Sequence, residues 1–329
     1  GILFYGVRID SETFLSGLFG MTLCFLILYA LCRFSCTHTL SDGKMPIWFS
    51  CAAVLLCLYS ASSLFYSLAD EMPRISDTLS GKQFSHFFWI LSIVLCLYIT
   101  KGKTVSLSRL CLLLLPFLLF PTVLAWFSFL GYEGNLPYFT PESRLILRPS
   151  YFRDGSALFG AVLLYFAVRD GQNEKEKQTE KSGGRAFAAA FVLFVFTFFA
   201  EKMKLLLFFG SHGAAALPRP DRTLTALIPY INIQDVFLFV YYFSFMLRLS
   251  IAVCGIQLYA EKLSESLNLP ERPFWRRLLT GAAVYGGFLL FNRFPVLNRY
   301  AFAAPPILLA ASLLLFSARR AKKRSGTAK

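Results

Sequence analysis

Apolar residues occur along this chain in long continuous runs, and charged residues are concentrated between the runs. An α-helix needs about 20 predominantly apolar residues to cross the hydrocarbon core of a bilayer. Nine runs approach this length and end at charged or turn residues, so each predicts a membrane-spanning helix. The predicted spans cover approximately 11–33, 45–69, 85–100, 105–131, 154–168, 186–210, 228–257, 275–294 and 299–318.

The charges between the spans predict their orientation. Clusters at 33–44, 101–109, 169–185, 262–277 and 319–329 fall on one side and hold twenty Lys and Arg residues. The loops on the other side hold ten. Because cytoplasmic loops carry the excess of Lys and Arg, the first side, with the C-terminal tail, is predicted to be cytoplasmic.

The start of the chain bears on the number of spans. The run 11–33 has neither a basic leader nor a small-residue cleavage site, so it is interpreted as a true span rather than a signal peptide. Nine spans with a cytoplasmic C-terminus would leave the N-terminus outside, and the chain begins at Gly1 with GILFYG, a sequence typical of the end of an apolar helix. We therefore expect one further span before it, which gives ten spans with both termini in the cytoplasm.

Composition supports a location in lipid. The chain is 56% hydrophobic and 16% charged, with a mean hydropathy of +0.56, whereas soluble domains carry roughly 25% charged residues. This composition argues against a soluble globular enzyme. The net charge is +14, but long apolar runs separate the basic residues, whereas nucleic-acid binding needs them together on one exposed face. We expect no nucleic-acid partner.

The cysteine and histidine residues do not form the patterns of a metal site or a redox pair. Seven of the eight cysteines lie in apolar runs, where a cysteine acts as a small hydrophobic residue. The exception, Cys36, follows Cys32 at a spacing typical of neither a zinc site nor a redox pair. With only three histidines in the chain, we expect neither a metal site nor a cofactor.

Several short stretches resemble a known family. Residues 98–109 (YITKGKTVSLSR), followed by a Leu-rich span with Pro116, resemble the cytoplasmic turn and fifth span of the spore germination permease family, the B subunits of germinant receptors. Asn135-Leu-Pro137 resembles that family's approach to its sixth span. Residues 227–235 (LIPYINIQD) resemble the start of its eighth span, with Ile-Gln-Asp where Arg-Leu-Asp or Arg-Leu-Glu is common.

The resemblance implies an all-α, multi-pass membrane protein of the amino acid, polyamine and organocation transporter superfamily, with a five-plus-five inverted repeat. Residues 1–329 would form one transmembrane domain, with the remainder of the first repeat at 1–131 and the outer loop, second repeat and basic tail at 132–329. The implied location is the inner membrane of the spore or the bacterial cytoplasmic membrane. The implied ligand is an amino acid or similar small germinant, and the implied partners are the A and C subunits of the receptor and the lipid bilayer.

The sixth span is a candidate ligand site. Pro149 and Gly155 can interrupt a helix, and an interrupted helix inside a membrane is tolerated where it lines a cavity. Backbone N–H groups near Tyr151, Gly155 and Ser156 could then meet a ligand carboxylate at a half-helix N-terminus. The same residues are equally typical of an outer loop followed by a helix that Asp154 caps.

The third and eighth spans face the interrupted helices in folds of this kind. Hydroxyl groups near the middle of these two spans are further ligand-binding candidates, although close helix packing by small residues and aromatic packing would explain them as well. They are Tyr59, Ser60 and Ser63 on span 45–69, and Tyr241, Tyr242 and Ser244 on span 228–257.

Ionisable residues inside predicted spans are costly and are therefore candidates for an ion pathway. Glu201, Lys202 and Lys204 interrupt the span 186–210, unless the apolar helix ends before them at the outer interface. Arg248 lies deeper, within the span 228–257, although its side chain could extend towards the cytoplasmic interface.

Three functions compete at this level. The first is a transporter-like receptor for a germinant, and the second is an amino-acid or cation symporter of the same fold. The third is a membrane enzyme that holds an anionic lipid-linked substrate with Arg144, Arg148 and Arg153. No paired carboxylate, suitable histidine or nucleophile motif accompanies those arginines in the sequence, so we expect the protein not to be an enzyme.

Overall fold

A computed structural model of the chain shows five helices of 17 residues or more within the residues that it describes. In chain order they are α1 (Ile47–Ala69), α2 (Phe84–Thr100), α3 (Lys103–Phe127), α4 (Ile233–Ser266) and α5 (Pro273–Arg293). The described residues are 22, 47–69, 84–101, 103–127, 188–189, 191–193, 195–196, 208–209, 233–270 and 272–294. Within them there are helices and turns and no β-strand, which confirms the all-α prediction for this part of the chain.

Five of the predicted spans coincide with these helices. For α1, α2, α3 and α5 the ends agree with prediction to within a few residues, whereas α4 continues to Ser266, beyond the predicted end at residue 257. The runs 11–33, 154–168, 186–210 and 299–318 lie outside the described residues, apart from Thr22 and isolated positions between 188 and 209. The number of spans and the inverted repeat therefore stay predictions.

One segment of the described helices is long and apolar enough to cross a membrane by itself. This segment is Tyr242–Ser266 of α4, with 25 residues. Ser50–Ser62 of α1 and Phe87–Thr100 of α2 are shorter apolar helical segments.

The chain divides into two compact units. The first unit comprises 1–25, 108–155 and 172–246, and the second comprises 26–107, 156–171 and 247–329. The second unit contains α1, α2, α5 and the part of α4 that follows Met246.

Aromatic contacts and close approaches to glycine hold the second unit together. The Trp89 ring of α2 lies 5.5 Å from the Phe288 ring of α5, and both side chains are buried. A Cβ atom at Gly281 of α5 would lie only 3.1 Å from Leu97 Cδ1 of α2. Because the later residue of α5 meets the earlier residue of α2, these two helices run in opposite directions.

In the first unit, α3 presents a largely exposed apolar surface. Leu112, Phe117 and Phe120 are all exposed. The helix continues through Pro116 and Pro121, which is costly in water because proline removes a backbone hydrogen bond. Within a membrane, neighbouring helices and polar side chains can satisfy the freed backbone groups.

The connection between α4 and α5 has a defined geometry. Asn268 has a positive φ of 53°, the Asn268 N–H donates to the Glu265 carbonyl, and the Leu269 N–H donates to the Ser264 carbonyl. This pair of bonds is the Schellman motif, which satisfies the last carbonyls of a helix. Pro270 follows, and α5 starts at Pro273, where a missing N–H costs nothing.

Candidate functional site

The exposed face of α2 is more apolar than its buried face. Its exposed face consists of large apolar side chains and one tyrosine at helical spacing, whereas its buried face includes Ser92, Cys96 and Thr100 beside Trp89 and Ile93. In a water-soluble helix the exposed face is the polar one. The exposed residues of α2 are Phe87, Ile90, Leu91, Val94, Leu95 and Tyr98.

A row of polar residues runs along one face of α4 in the second unit. Ser250, Cys254, Gln257 and Glu261 are spaced i, i+4, i+7 and i+11, so they lie above one another on the helix. We call these four residues the polar stripe. It lies within a helix whose other residues at this level, such as Leu249 and Val253, are apolar and fully buried.

The polar stripe faces the other helices of the second unit. The Ser250 hydroxyl lies beside the Cys96 thiol of α2, and the Cys254 thiol lies near the Cys57 thiol of α1. Next to the stripe, a Cβ atom at Gly255 would lie 2.7 Å from Cys57 Sγ, so α1 and α4 approach closely here.

At its last residue the stripe reaches α5. A Glu261 carboxylate oxygen lies 3.3 Å from an Arg276 guanidinium nitrogen. Both side chains are partly exposed, so this ion pair contributes at most about 1 kcal/mol. Its main effect is to fix the end of α4 next to the first turn of α5.

Some polar atoms in the interior of the second unit have no hydrogen-bond partner. Buried hydroxyls in membrane helices usually donate to a carbonyl of their own helix, as Ser92 does to Phe88 at 2.8 Å and Thr280 does to Arg276 at 2.8 Å. Within the described residues, Gln257 Nε2 and the hydroxyls of Ser50 and Ser62 make no hydrogen bond. A buried polar group without a partner costs about 1–3 kcal/mol.

Arg248 occupies the side of α4 opposite the polar stripe, since two residues along a helix correspond to a turn of about 200°. The residue is half-buried, and its helix neighbours Leu247, Leu249 and Ala252 are buried apolar residues. No carboxylate of the described residues forms an ion pair with it.

The ligand-binding residues predicted from the sequence lie on different helices and are half-buried where the structure describes their side chains. Tyr59 is half-buried in α1, and its ring lies 5.8 Å from the Phe291 ring in an edge-on arrangement. Ser60 is half-buried beside it. In the first unit, Tyr242 and Ser244 are half-buried in α4, and the Tyr242 ring lies 6.4 Å from the Phe245 ring.

Other candidates lie outside the described residues. They are Tyr151, Gly155 and Ser156 of the predicted sixth span, and Glu201, Lys202 and Lys204 of the predicted ion pathway. The side chains of Ser63 and Tyr241 are also outside the described part, although both positions belong to helices. Of the ion-pathway candidates, only Arg248 lies within the described residues.

Sequence reasoning missed Ser62, Ser250 and Gln257. The spacing of Ser250, Cys254, Gln257 and Glu261 is visible in the sequence and could have identified the polar stripe. By contrast, Ser62 is distinguished by its position opposite Gly287, where an added Cβ atom would collide with the Ser62 hydroxyl oxygen, and no local sequence pattern reveals it. No group of three or more His, Cys, Asp or Glu residues that could hold a metal occurs within the described part of the chain.

Comparison of the chain with protein-family models, with curated proteins and with solved structures gives no match.

Proposed function

We propose that the chain is a transporter-like membrane receptor subunit that binds an amino acid or similar small germinant and thereby triggers spore germination. In this proposal the protein is a multi-pass membrane protein whose spans form a five-plus-five inverted repeat. Its partners are the A and C subunits of the receptor, and its C-terminus is cytoplasmic. The sequence resemblance at residues 98–109, 135–137 and 227–235 suggests the receptor type.

The distribution of apolar and polar residues on α2 is the main support for a membrane location. Six exposed side chains, from Phe87 to Tyr98, form one apolar face. Hydrocarbon accepts such a face without cost, whereas water penalises it by roughly 25 cal/mol per Å². The polar residues Ser92 and Thr100 are buried instead, as expected where helices associate through polar and small residues in lipid.

The arrangement of basic residues supports the proposed orientation. Gly281, near the start of α5, approaches Leu97, near the end of α2. The basic cluster that begins at Lys101 and the cluster that contains Arg272 and Arg276 therefore lie at the same end of the second unit. Both clusters are predicted to be cytoplasmic, and the positive-inside rule requires them to be on one side.

The buried, unpartnered polar atoms support a binding role. Gln257 Nε2 and the Ser62 hydroxyl are withdrawn from solvent without hydrogen-bond partners in the described part of the chain. Since such groups destabilise an empty protein, a polar ligand that supplies partners explains their presence. These atoms are donors or acceptors of the kind that recognise the amino and carboxyl groups of an amino acid.

The proposal is tested by ligand-dependent thermal stabilisation. The full-length protein is reconstituted in lipid nanodiscs and heated in the presence of each of the twenty amino acids. We expect one or a few of them to raise the unfolding temperature, because a ligand at a hundred times its Kd stabilises the folded state by about 2.7 kcal/mol.

The matched variants are Gln257→Leu and Val94→Leu. Gln257→Leu removes an unpartnered buried amide, so the empty protein should become more stable by about 1 kcal/mol while the ligand-dependent rise is lost. Val94→Leu changes the exposed apolar face of α2 and should leave both properties unchanged. Loss of stability in empty Gln257→Leu, together with an unchanged ligand response, would count against the polar stripe as the binding site.

A further inference from the structure

The helices α2 and α5 pack against each other in a regular antiparallel register. The Trp89 ring of α2 lies 5.5 Å from the Phe288 ring of α5. Further along α2, a Cβ atom at Gly281 would lie 3.1 Å from Leu97 Cδ1. Eight residues forward along α2 therefore correspond to seven residues back along α5. The two helices thus stay side by side up to the end at which α2 finishes and α5 begins.

This register brings two positive charges together at that end of the helix pair. Lys101 lies four residues after Leu97, and Arg277 lies four residues before Gly281, so the two basic residues are at about the same level along the helix axes. Lys101 is exposed and Arg277 is half-buried. Within the described residues neither of them forms an ion pair with a carboxylate. Two neighbouring positive charges attract an anion.

An apolar groove runs away from these charges along the exposed side of the same helix pair. On each helix, a row of exposed apolar residues follows the contact residues by about a quarter of a turn. Because the helices are antiparallel, the two rows lie on the same side of the contact. We call the space between them the α2–α5 groove. Its side chains are Ile90 and Val94 of α2 and Leu278, Ala282 and Leu289 of α5.

We propose that the α2–α5 groove binds an anionic phospholipid of the surrounding bilayer, with the phosphate group at Lys101 and Arg277 and one acyl chain along the apolar rows. Ammonium and guanidinium groups donate strong, charge-assisted hydrogen bonds to phosphate oxygens. Basic residues between membrane helices select anionic headgroups for the same reason. The positive charges at one end and the apolar rows beside them complement the two parts of a lipid molecule.

Exposed aromatic residues support the depth assigned to the headgroup. Phe274 and Trp275 lie in the first turn of α5, and Tyr98 lies in the last turn of α2. Aromatic side chains are typical of the level of the lipid headgroups. The inference rests on the membrane location in the proposed function, but it does not depend on the germinant.

Lipid titration followed by native mass spectrometry tests the proposal on the full-length protein in detergent micelles. Phosphatidylglycerol and phosphatidylcholine with identical acyl chains are added separately, and the dissociation constant of the first bound lipid is measured for each. We expect phosphatidylglycerol to bind about 30-fold more tightly, because two basic residues near the headgroup contribute about 5-fold each. Equal dissociation constants for the two lipids would overturn the proposal.

Three variants connect this preference to the groove. Arg277→Gln and Lys101→Gln should each weaken phosphatidylglycerol binding about 5-fold and leave phosphatidylcholine binding unchanged. Arg293→Gln is the matched control, because it removes the same charge from an exposed position at the opposite end of α5, and it should change neither affinity. An equal loss in Arg277→Gln and Arg293→Gln would contradict the assignment to this groove.

A large excess of inorganic phosphate distinguishes a lipid from a free anion. Burial of acyl CH₂ groups contributes to the binding of a lipid but not to that of phosphate. We therefore expect phosphate not to displace bound phosphatidylglycerol. Displacement would mean that the two basic residues bind free phosphate, and the lipid assignment would be wrong.

The lipid site and the germinant receptor can fail separately. Equal affinity for the two lipids contradicts the lipid site and leaves the receptor proposal intact, because amino-acid binding is measured by thermal stabilisation. Failure of both lipids to bind contradicts the membrane location and therefore both proposals. If a variant does not fold, the comparison of the two lipids on the unmodified protein still decides the question.

Discussion

Gly286 and Gly287 are neighbours in α5 with different surroundings. A Cβ atom at Gly286 would have no atom within 4 Å, whereas a Cβ atom at Gly287 would collide with the Ser62 hydroxyl oxygen and lie 3.2 Å from Ser62 Cβ. Gly287 therefore allows α5 to approach α1 at Ser62, as small residues do between membrane helices. The adjacent contact between Tyr59 and Phe291 follows from this approach.

Replacing each of these two glycines by leucine should distinguish the effect of helix packing on stability from the effect of helix propensity. Gly287→Leu is expected to lower the free energy of unfolding by about 3 kcal/mol, because the larger side chain forces α1 and α5 apart. Gly286→Leu serves as the matched control and should stay within about 0.5 kcal/mol of the unmodified protein. Unfolding in increasing SDS, followed by circular dichroism, measures both. Similar losses in the two variants would mean that the close approach at Ser62 does not exist.

At the scale of single residues, the sequence predicts residue types but not the side of the helix on which they lie. Ser60 and Ser244 are candidates for their hydroxyl groups near mid-span, whereas the buried hydroxyls without a hydrogen bond in the described part belong to Ser50 and Ser62. In a helix that is apolar on all sides, periodicity does not distinguish the lipid-facing side from the buried side. Only the contacts with other helices make that distinction.

At the scale of helices and turns, the turn between α4 and α5 is the best-defined connection. Asn268 takes the left-handed conformation that ends α4, and the bonds from Asn268 and Leu269 back to Glu265 and Ser264 close the last turn. The ion pair between Glu261 and Arg276 then joins the two helices. Glycine is the residue most often found at such a position, and asparagine is the usual substitute.

Asn268 variants should follow this backbone requirement. Asn268→Gly is expected to leave stability unchanged, because glycine adopts a positive φ without cost. Asn268→Val should lower the free energy of unfolding by about 1–3 kcal/mol, because a β-branched residue is strained in that conformation. Thermal unfolding of both variants in nanodiscs measures the difference. Equal stability of Asn268→Val and Asn268→Gly would show that the turn does not have this geometry.

Hydropathy predicted the positions of most of the described helices, but it placed the end of α4 too early. The predicted span 228–257 ends before the charged residues Glu261 and Lys262, yet α4 continues to Ser266. Charged residues end a hydrophobic run, but they do not end a helix, because its backbone hydrogen bonds do not depend on the hydropathy of the side chains. The helix instead ends at Ser266, just before Asn268 and Pro270, which are local stop signals in the sequence.

At the scale of the whole molecule, the exposed apolar residues need an apolar environment to be stable. These residues are numerous on α2, on α3 and on α5, where Phe274, Trp275 and Leu279 are exposed beside Arg276. Aromatic and basic side chains at the end of a helix are typical of a membrane–water interface. Composition predicts a lipid environment from the sequence, whereas the exposed side of each helix is known only from the fold.

Spin-label accessibility along α2 tests the central claim, that the exposed apolar faces contact lipid, most directly. Single cysteines are introduced from Phe87 to Tyr98 in a background whose eight native cysteines are replaced, and collisions with oxygen and with a water-soluble nickel complex are measured in nanodiscs. Labels at Phe87, Leu91, Val94 and Tyr98 should show high oxygen and low nickel accessibility, whereas labels at Trp89 and Ile93 should be inaccessible to both. Nickel accessibility at the first four positions would place this face in water and contradict the account.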